Sequence, residues 1–345
     1  MKIALKDTLS GLGLPRMPWC RPSTPRLMPI ATAISQSIIA GMKRFLIKVH
    51  WLLATQFGFD PLRLWRSLRG LPHYLRDRRS FQRGYHGALG WMPCLHDRYE
   101  EGGTTKSEYF WQDLQVARWI HEAAPRRHVD VGSRVDGFVA HVASFRQIEV
   151  LDVRPISSRV PGVTFRQADL MDGKSIASLT GSGGGYCDSI SCLHTIEHLG
   201  LGRYADPIDP QGYARGLANL AALLQPNGRL YLATPMGRER VEFNANWVFA
   251  PRTILSCAEQ QGLHLDRLHS FRGEAGLVEH SRSAWPQLLD WLGSQPYQLV
   301  LCSSSRSRRE TISNAWPNAT PGSGAALGFA ECNTYNQLTK HESSQ

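Results

Sequence analysis

Three aspartates end short apolar runs in this chain: His128-Val-Asp130-Val, Ile148-Glu-Val-Leu-Asp152 and Val163-Thr-Phe-Arg-Gln-Ala-Asp169. A carboxylate at the end of an apolar strand is tolerated only where loop amides, hydroxyls or a cation take up its hydrogen bonds. After Asp130 comes Gly132-Ser133-Arg134-Val-Asp-Gly137. Gly132 would let the backbone pass close under a ligand at a helix N-terminus, and Gly137 would allow close contact between helix and sheet. Asp152 follows about twenty residues after this turn, the spacing at which nucleotide-binding α/β folds set an acid on ribose hydroxyls. Asp169 is placed to accept from an adenine amino group, with Leu170 over the ring face, or else to cap the next helix. The chemistry implied is the grip of a nucleotide cofactor. An ordinary strand-to-helix turn is the alternative, because Arg134 replaces the middle glycine of the usual pattern.

A second constellation is His194-Thr-Ile-Glu197-His198, directly after the apolar run 187–193. Either histidine could serve as a base near neutral pH with Glu197 orienting it, or all three could merely satisfy backbone groups at a turn. The same five residues spell H-x-x-E-H, which in some zinc peptidases presents two imidazoles on one helix face. Gly200 and Gly202 follow within a turn and leave little room for such a helix. Asp206, Asp209, Asn244 and Asn246 are either polar groups lining an acceptor pocket or turn formers, the ordinary use of Asp-Pro and Asn. Tyr109, Phe110 and Gln112 either fold over the cofactor or pack in the core.

Positioning these residues requires strands that alternate with helices. The pattern predicts strands at 128–131, 148–153, 163–165, 187–193, 229–233 and 263–270, with helices at about 136–144, 211–224 and 251–261. A capped helix from Thr104 precedes the first strand. The expected architecture is α/β: a Rossmann-like, doubly wound, mostly parallel sheet with an N-terminal helical extension. That extension, at 42–103, is basic, and its apolar positions between Asp60 and Phe81 predict one or two helices broken near Gly70-Leu71-Pro72. Met42 opens a basic, apolar run suited to a natural start, so 1–41 is expected to be disordered or upstream of the true start. The Rossmann domain is expected over 104–280 and a poorly ordered tail over 281–345, with Trp285 to Leu292 a candidate short helix and Tyr297 to Cys302 a candidate last strand.

The runs quoted above, with Tyr186-Cys-Asp-Ser-Ile-Ser-Cys-Leu-His-Thr-Ile-Glu-His198 and Leu224-Gln-Pro-Asn-Gly-Arg-Leu-Tyr-Leu-Ala-Thr-Pro235, resemble the successive motifs of class I S-adenosylmethionine-dependent methyltransferases. More narrowly, Cys94-Leu-His-Asp-Arg, the 127–145 segment, Cys192 through Pro210 and Glu242-Phe-Asn-Ala-Asn-Trp-Val-Phe resemble an uncharacterised methyltransferase-like family. The resemblance covers roughly 60–275 and implies the fold and an S-adenosylmethionine cofactor. The cofactor residues expected are Asp130, Gly132, Ser133, Arg134, Gly137, Asp152, Asp169 and Leu170, and the catalytic residues His194, Glu197 and His198. Arg134 is expected either to pair with the cofactor carboxylate or to fill the site. The final hairpin strands of that family are not recognisable after 275.

Seven cysteines without a C-x-x-C pair argue against a disulfide framework or a Cys-rich zinc site, and a reducing cytoplasm is expected. The net charge of +10 is uneven: residues 1–85 hold 15 Lys/Arg and 3 Asp/Glu, so the rest of the chain is slightly acidic. A presumed catalytic domain of that sign disfavours nucleic acid, while the basic arm is suited to weak contact with a membrane surface. The function expected is methyl transfer to a small-molecule acceptor, saccharide-related compounds among them. The alternatives are a non-catalytic binding or scaffold protein on the same fold and a zinc hydrolase built on His194, Glu197 and His198. Oligomeric state is not legible.

Overall fold

The computed structural model describes residues 42, 45–47, 49–103, 105–180 and 185–307. The expectations for 1–41 and for the end of the tail lie outside the described residues. The chain divides between Gly102 and Gly103 into two compact units.

In the first unit, α1 (Pro61–Gln82) begins where the Asp60 carboxylate accepts from the amides of Leu62 and Arg63 at 2.9 and 3.2 Å. Contrary to the expected break, it runs unbroken through Gly70-Leu71-Pro72. The glycine there serves packing rather than termination, since a Cβ on Gly70 would stand 2.0 Å from the carbonyl oxygen of Leu95.

The second unit holds an eight-stranded sheet. Its first five strands are β1 (His128–Val131), β2 (Ile148–Asp152), β3 (Val163–Gln167), β4 (Cys187–Leu193) and β5 (Leu224–Met236). They are parallel in the spatial order β3-β2-β1-β4-β5. Helices α2 (Glu108–Ala123) and α3 (Ala140–Ala143) cover one face, where Trp119, Ile120, Phe138 and Val142 pack on Val150, Tyr231 and Leu301. Helices α4 (Gly173–Thr180), α5 (Gly212–Leu223) and α6 (Pro251–Gln260) cover the other, with Ile176, Leu217 and Ile254 among Val131, Ile190 and Leu232. With both faces covered, every residue of β1 and β2 is buried, and their four polar side chains, His128, Asp130, Glu149 and Asp152, are held by partners. This is the doubly wound, Rossmann-like fold.

Beyond β5 the chain departs from expectation in two places. A two-stranded hairpin, β6 (Arg240–Glu242) and β7 (Asn246–Val248), projects after β5. The strand expected at 263–270 is β8 (Leu263–Phe271), the candidate helix is α7 (Trp285–Ser294) and the candidate last strand opens β10 (Gln298–Arg306), while β9 (Leu277–Glu279) and the second half of β10 are strands that sequence reading did not recognise. Strand β10 lies between β5 and β8 and is antiparallel to both. Residues 285–306 therefore form a helix and a sheet strand, not a poorly ordered tail. The run 303–307 escapes notice in the sequence because its serines read as loop, yet Ser303 and Ser304 are buried as ladder residues. We expect Leu301→Ala, which removes a fully buried side chain, to lower the unfolding free energy in urea by about 2–5 kcal/mol. A disordered tail would leave the midpoint unmoved.

Candidate functional site

All five parallel strands point their carboxyl ends to one edge, and the cleft opens there, as doubly wound folds dictate. It is lined by residues that end or follow β1 to β4, among them Gly132, Asp152, Asp169, Leu170, His194 and His198.

The turn after β1 hangs on a buried carboxylate. Asp130 has no exposed surface; its Oδ2 accepts from the Ser133 amide at 3.0 Å and its Oδ1 from the hydroxyls of Ser133 and Ser191 at 2.8 and 2.5 Å. Burial pushes this carboxyl up to about 7 in spite of those donors. The chain of polar groups continues through His128, whose ring nitrogens lie 3.2 Å from Ser191 Oγ and 2.8 Å from Ser189 Oγ, and burial drives that imidazole down to about 3. Gly132 is held at φ +76°, where a Cβ would meet the Thr195 side chain at 2.5 Å. Only glycine fits there.

Of the eight residues expected to hold a cofactor, the structure brings Gly132, Asp152, Asp169 and Leu170 to the cleft. Asp130 and Ser133 face one another inside the turn, and Gly137 lies on the turn's far side, near Asp113. Asp169 does not cap a helix; its Oδ1 accepts from the Met171 amide at 2.8 Å, and Asp172 provides the cap contacts to Lys174 and Ser175. Arg134 does not fill the site. Its side chain is largely exposed and pairs with Asp136 at 2.6 Å.

The arginine that does enter the cleft is Arg154. Its guanidinium grips Asp152 in a bidentate pair at 3.0 and 2.6 Å, reaches the Gly132 carbonyl at 3.4 Å and lies over the Tyr204 ring at 4.5 Å. It takes this position because its own amide donates to Asp152 Oδ1 at 2.8 Å, closing a turn that folds the side chain back. The remaining free volume is about 50 Å³, against the roughly 300 Å³ or more of small-molecule sites. The carboxylate of the pair is buried and the guanidinium is part-exposed, so the arginine is the partner that can swing into water. The cleft otherwise suits a nucleoside: the Gly132 turn approaches closely, the Asp152 carboxylate stands where ribose hydroxyls would be gripped, and Leu170 offers an apolar cover.

His194 ends β4 in a left-handed conformation, φ +52°, with its amide on the Ala233 carbonyl at 2.9 Å. Nδ1 lies 2.7 Å from Glu197 Oε1, and Glu197 Oε2 accepts from Thr234 Oγ1 at 3.3 Å. Nε2 is buried and makes no hydrogen bond among the described residues. Its nearest carboxylate is Glu108 at 3.8 Å, itself held by the Tyr297 hydroxyl at 2.6 Å. The Tyr109 ring packs on the imidazole at 4.5 Å between centroids. Burial works against the imidazolium, but the carboxylates of Glu197 and Glu108 outweigh it and raise His194 above the usual 6.5. The same pair lowers Glu197 below the usual carboxyl value, although burial opposes its charge.

His198 does not join this pair. It lies 2.7 Å from the Ala245 carbonyl through Nδ1, edge-on to Tyr204, and burial lowers it. Residues 196–198 form one tight turn, not a helix long enough to aim two imidazoles at one point. Among the described residues, three metal-ligand atoms converge only at His96, Asp97 and Glu100, in the other unit. The zinc arrangement is thus not formed. Asp206 and Asp209 form turns, Asp206 accepting from the amides of Gly200, Gly202 and Tyr204 and Asp209 from that of Gln211, and Asp206 also lines the cleft. Asn246 bonds to the Trp247 carbonyl. Gln112 is buried against Asp113, and Phe110 meets Trp111 edge-on. Sequence reading missed Arg154, Glu108, Thr234 and Tyr297. Only Arg154 left a signal, its place two residues after Asp152.

A family model described as a Caenorhabditis protein of unknown function, DUF268, matches residues 182–256, the span from β4 to the start of α6. A search of curated proteins finds no match. Among solved structures, the chain is similar to the 1,6-didemethyltoxoflavin-N1-methyltransferase of Burkholderia thailandensis, crystallised with 1,6-didemethyltoxoflavin and S-adenosylhomocysteine (11% identity, 69% of this chain and 91% of that one, TM-score 0.39). It is also similar to the N-methyltransferase NodS of Bradyrhizobium japonicum (14%, 57% and 95%, 0.38) and to a TehB-like methyltransferase of Corynebacterium glutamicum (15%, 68% and 97%, 0.37). At these scores the fold assignment rests on the sheet itself.

Arg154→Ala uncovers Asp152 without touching the core. We expect it to tighten S-adenosylhomocysteine binding by up to about fivefold, the upper worth of a surface ion pair, in isothermal titration. Unchanged affinity would mean that Arg154 does not compete with the nucleoside.

Proposed function

We propose that this protein is an S-adenosylmethionine-dependent methyltransferase acting on a small molecule that bears a hydroxyl or amine, saccharide hydroxyls among the candidates. The observation that carries this reading is His194, which lines the cleft with Gly132 and whose buried Nε2 makes no hydrogen bond among the described residues while Nδ1 is held by Glu197. An imidazole oriented through one nitrogen presents the lone pair of the other to an acceptor proton.

The roles follow from placement. Gly132, Asp152, Asp169 and Leu170 would hold the nucleoside. The cofactor supplies a methyl group on a sulfonium, transferred in line to the acceptor oxygen or nitrogen. His194 Nε2 takes the acceptor proton, and Glu197 stabilises the imidazolium that results. Thr234 holds Glu197 in place from β5. Tyr109 and the Glu108–Tyr297 pair close the imidazole from water on the helix side.

The pair between Arg154 and Asp152 favours a second reading, a binding or scaffold module that has given up the cofactor. Titration separates the two. If neither the wild type nor Arg154→Ala binds S-adenosylhomocysteine at millimolar concentration, the methyltransferase reading fails.

A base must be unprotonated to act, so activity should rise with pH along a limb set by His194, above the ordinary 6.5. Glu197→Gln removes the charge that retains the proton and should shift this limb to lower pH while reducing the rate. His194→Gln should lower kcat by about a hundredfold to ten-thousandfold, the usual worth of a general base. Methyl transfer from labelled cofactor, screened over hydroxyl and amine acceptors, is the assay. A pH profile of His194→Gln that matches the wild type would remove His194 from the mechanism.

A further inference from the structure

An exposed face of helix α1 points to a partner that the cleft does not explain. Helix α1 commits one side to its own unit: Gly70 lies against the Leu95 carbonyl, and Tyr74 meets Trp91 edge-on at 5.2 Å. The opposite side carries Leu62, Trp65 and Leu68 at three-residue steps, 56%, 57% and 61% exposed. Three residues per step on a helix of 3.6 per turn keep them on one slowly turning stripe. Farther along the same side come Arg76 and Arg79, with Arg83 at the C-cap of the helix, so the stripe changes from apolar to basic. Before the helix, Phe45, Trp51 and Phe57 are likewise exposed. Within 42–85 there are ten Lys/Arg against two Asp/Glu.

Large aromatic and aliphatic side chains left in water beside an excess of arginine suit the boundary of an anionic bilayer. There the apolar groups enter the acyl region, and the guanidinium groups meet lipid phosphates while their stems lie along the surface. No helix among the described residues is long and apolar enough to cross a membrane, so the contact is with the surface. We propose that this protein docks on anionic phospholipid through the Leu62-Trp65-Leu68 stripe of α1 and the basic side chains that follow it. Nucleic acid fits less well, because the exposed apolar stripe would gain nothing from a phosphate backbone.

The test is flotation of the full chain with vesicles of phosphatidylcholine alone or of phosphatidylcholine mixed with phosphatidylglycerol. The chain should float with the mixed vesicles only and be released by salt. Trp65→Glu combined with Leu68→Glu should weaken this binding about tenfold or more, and Arg79→Glu with Arg83→Glu should weaken it by a similar factor while leaving the stripe intact. Both variants replace exposed residues and should keep the wild-type circular dichroism and cofactor affinity. The proposal is overturned if the wild type does not float, or if the Trp65→Glu, Leu68→Glu variant floats equally well. It is also overturned if light scattering shows a dimer that this variant abolishes, which would assign the stripe to a second copy, or if polynucleotide competes with the vesicles but binds the variant unchanged.

Discussion

One carboxylate without access to water organises the cleft edge. Asp130 ends β1 inside the sheet, and its two oxygens take donors from the turn that follows and from β4 beside it. A buried acid is costly unless such donors are in place, and removing one would leave the rest of the network unsatisfied. The turn therefore has one conformation: Gly132 goes to positive φ against Thr195, and the backbone is laid open to a ligand. The His128 imidazole and the Ser189 hydroxyl carry the same polar seam down between β1 and β4. These groups hold the turn rather than reach into the cleft.

His194 stands on the same edge for a related reason. Strand β4 stops at His194, which takes a left-handed backbone conformation that non-glycine residues adopt only when their surroundings over-determine it. Three contacts do so here: the amide on Ala233, Nδ1 on Glu197 and the ring under Tyr109. Glu197 is almost fully buried and can stay charged because the imidazole and Thr234 face it. The result is a buried imidazole at the cleft edge whose proton affinity is set by Glu197 on one nitrogen and Glu108 near the other. His198, four residues on, is drawn instead toward the β6–β7 hairpin by the Ala245 carbonyl.

Two arginines show how far sequence reaches. Arg134 breaks the glycine pattern of the turn and so attracts attention, yet on the fold it points to solvent and pairs with Asp136. Arg154 breaks no pattern, yet it folds back onto Asp152 and crosses the cleft, because a two-residue turn aims its side chain there and Tyr204 receives the guanidinium. Spacing identifies which residues lie at a strand end but not which way a long, flexible side chain turns. Strand β10 gives the same lesson at the level of the fold. Its serine-rich second half reads as loop by composition, and it becomes strand because β5 and β8 each offer it an unpaired edge.

The sequence by itself determined the alternation of strands and helices, the turn at Gly132, and the strand-end positions of Asp130, Asp152, Asp169 and His194. Local patterns suffice for these, since apolar periodicity and a glycine at a turn act over a few residues. The tertiary structure alone decided that Asp130 looks inward while Asp152 faces the cleft, that Glu197 serves His194 rather than a metal, and that Glu108 and Tyr297, 189 positions apart, meet beside its Nε2. Such choices depend on groups brought together from distant segments, where burial makes each unpaired polar atom costly and so selects one set of partners.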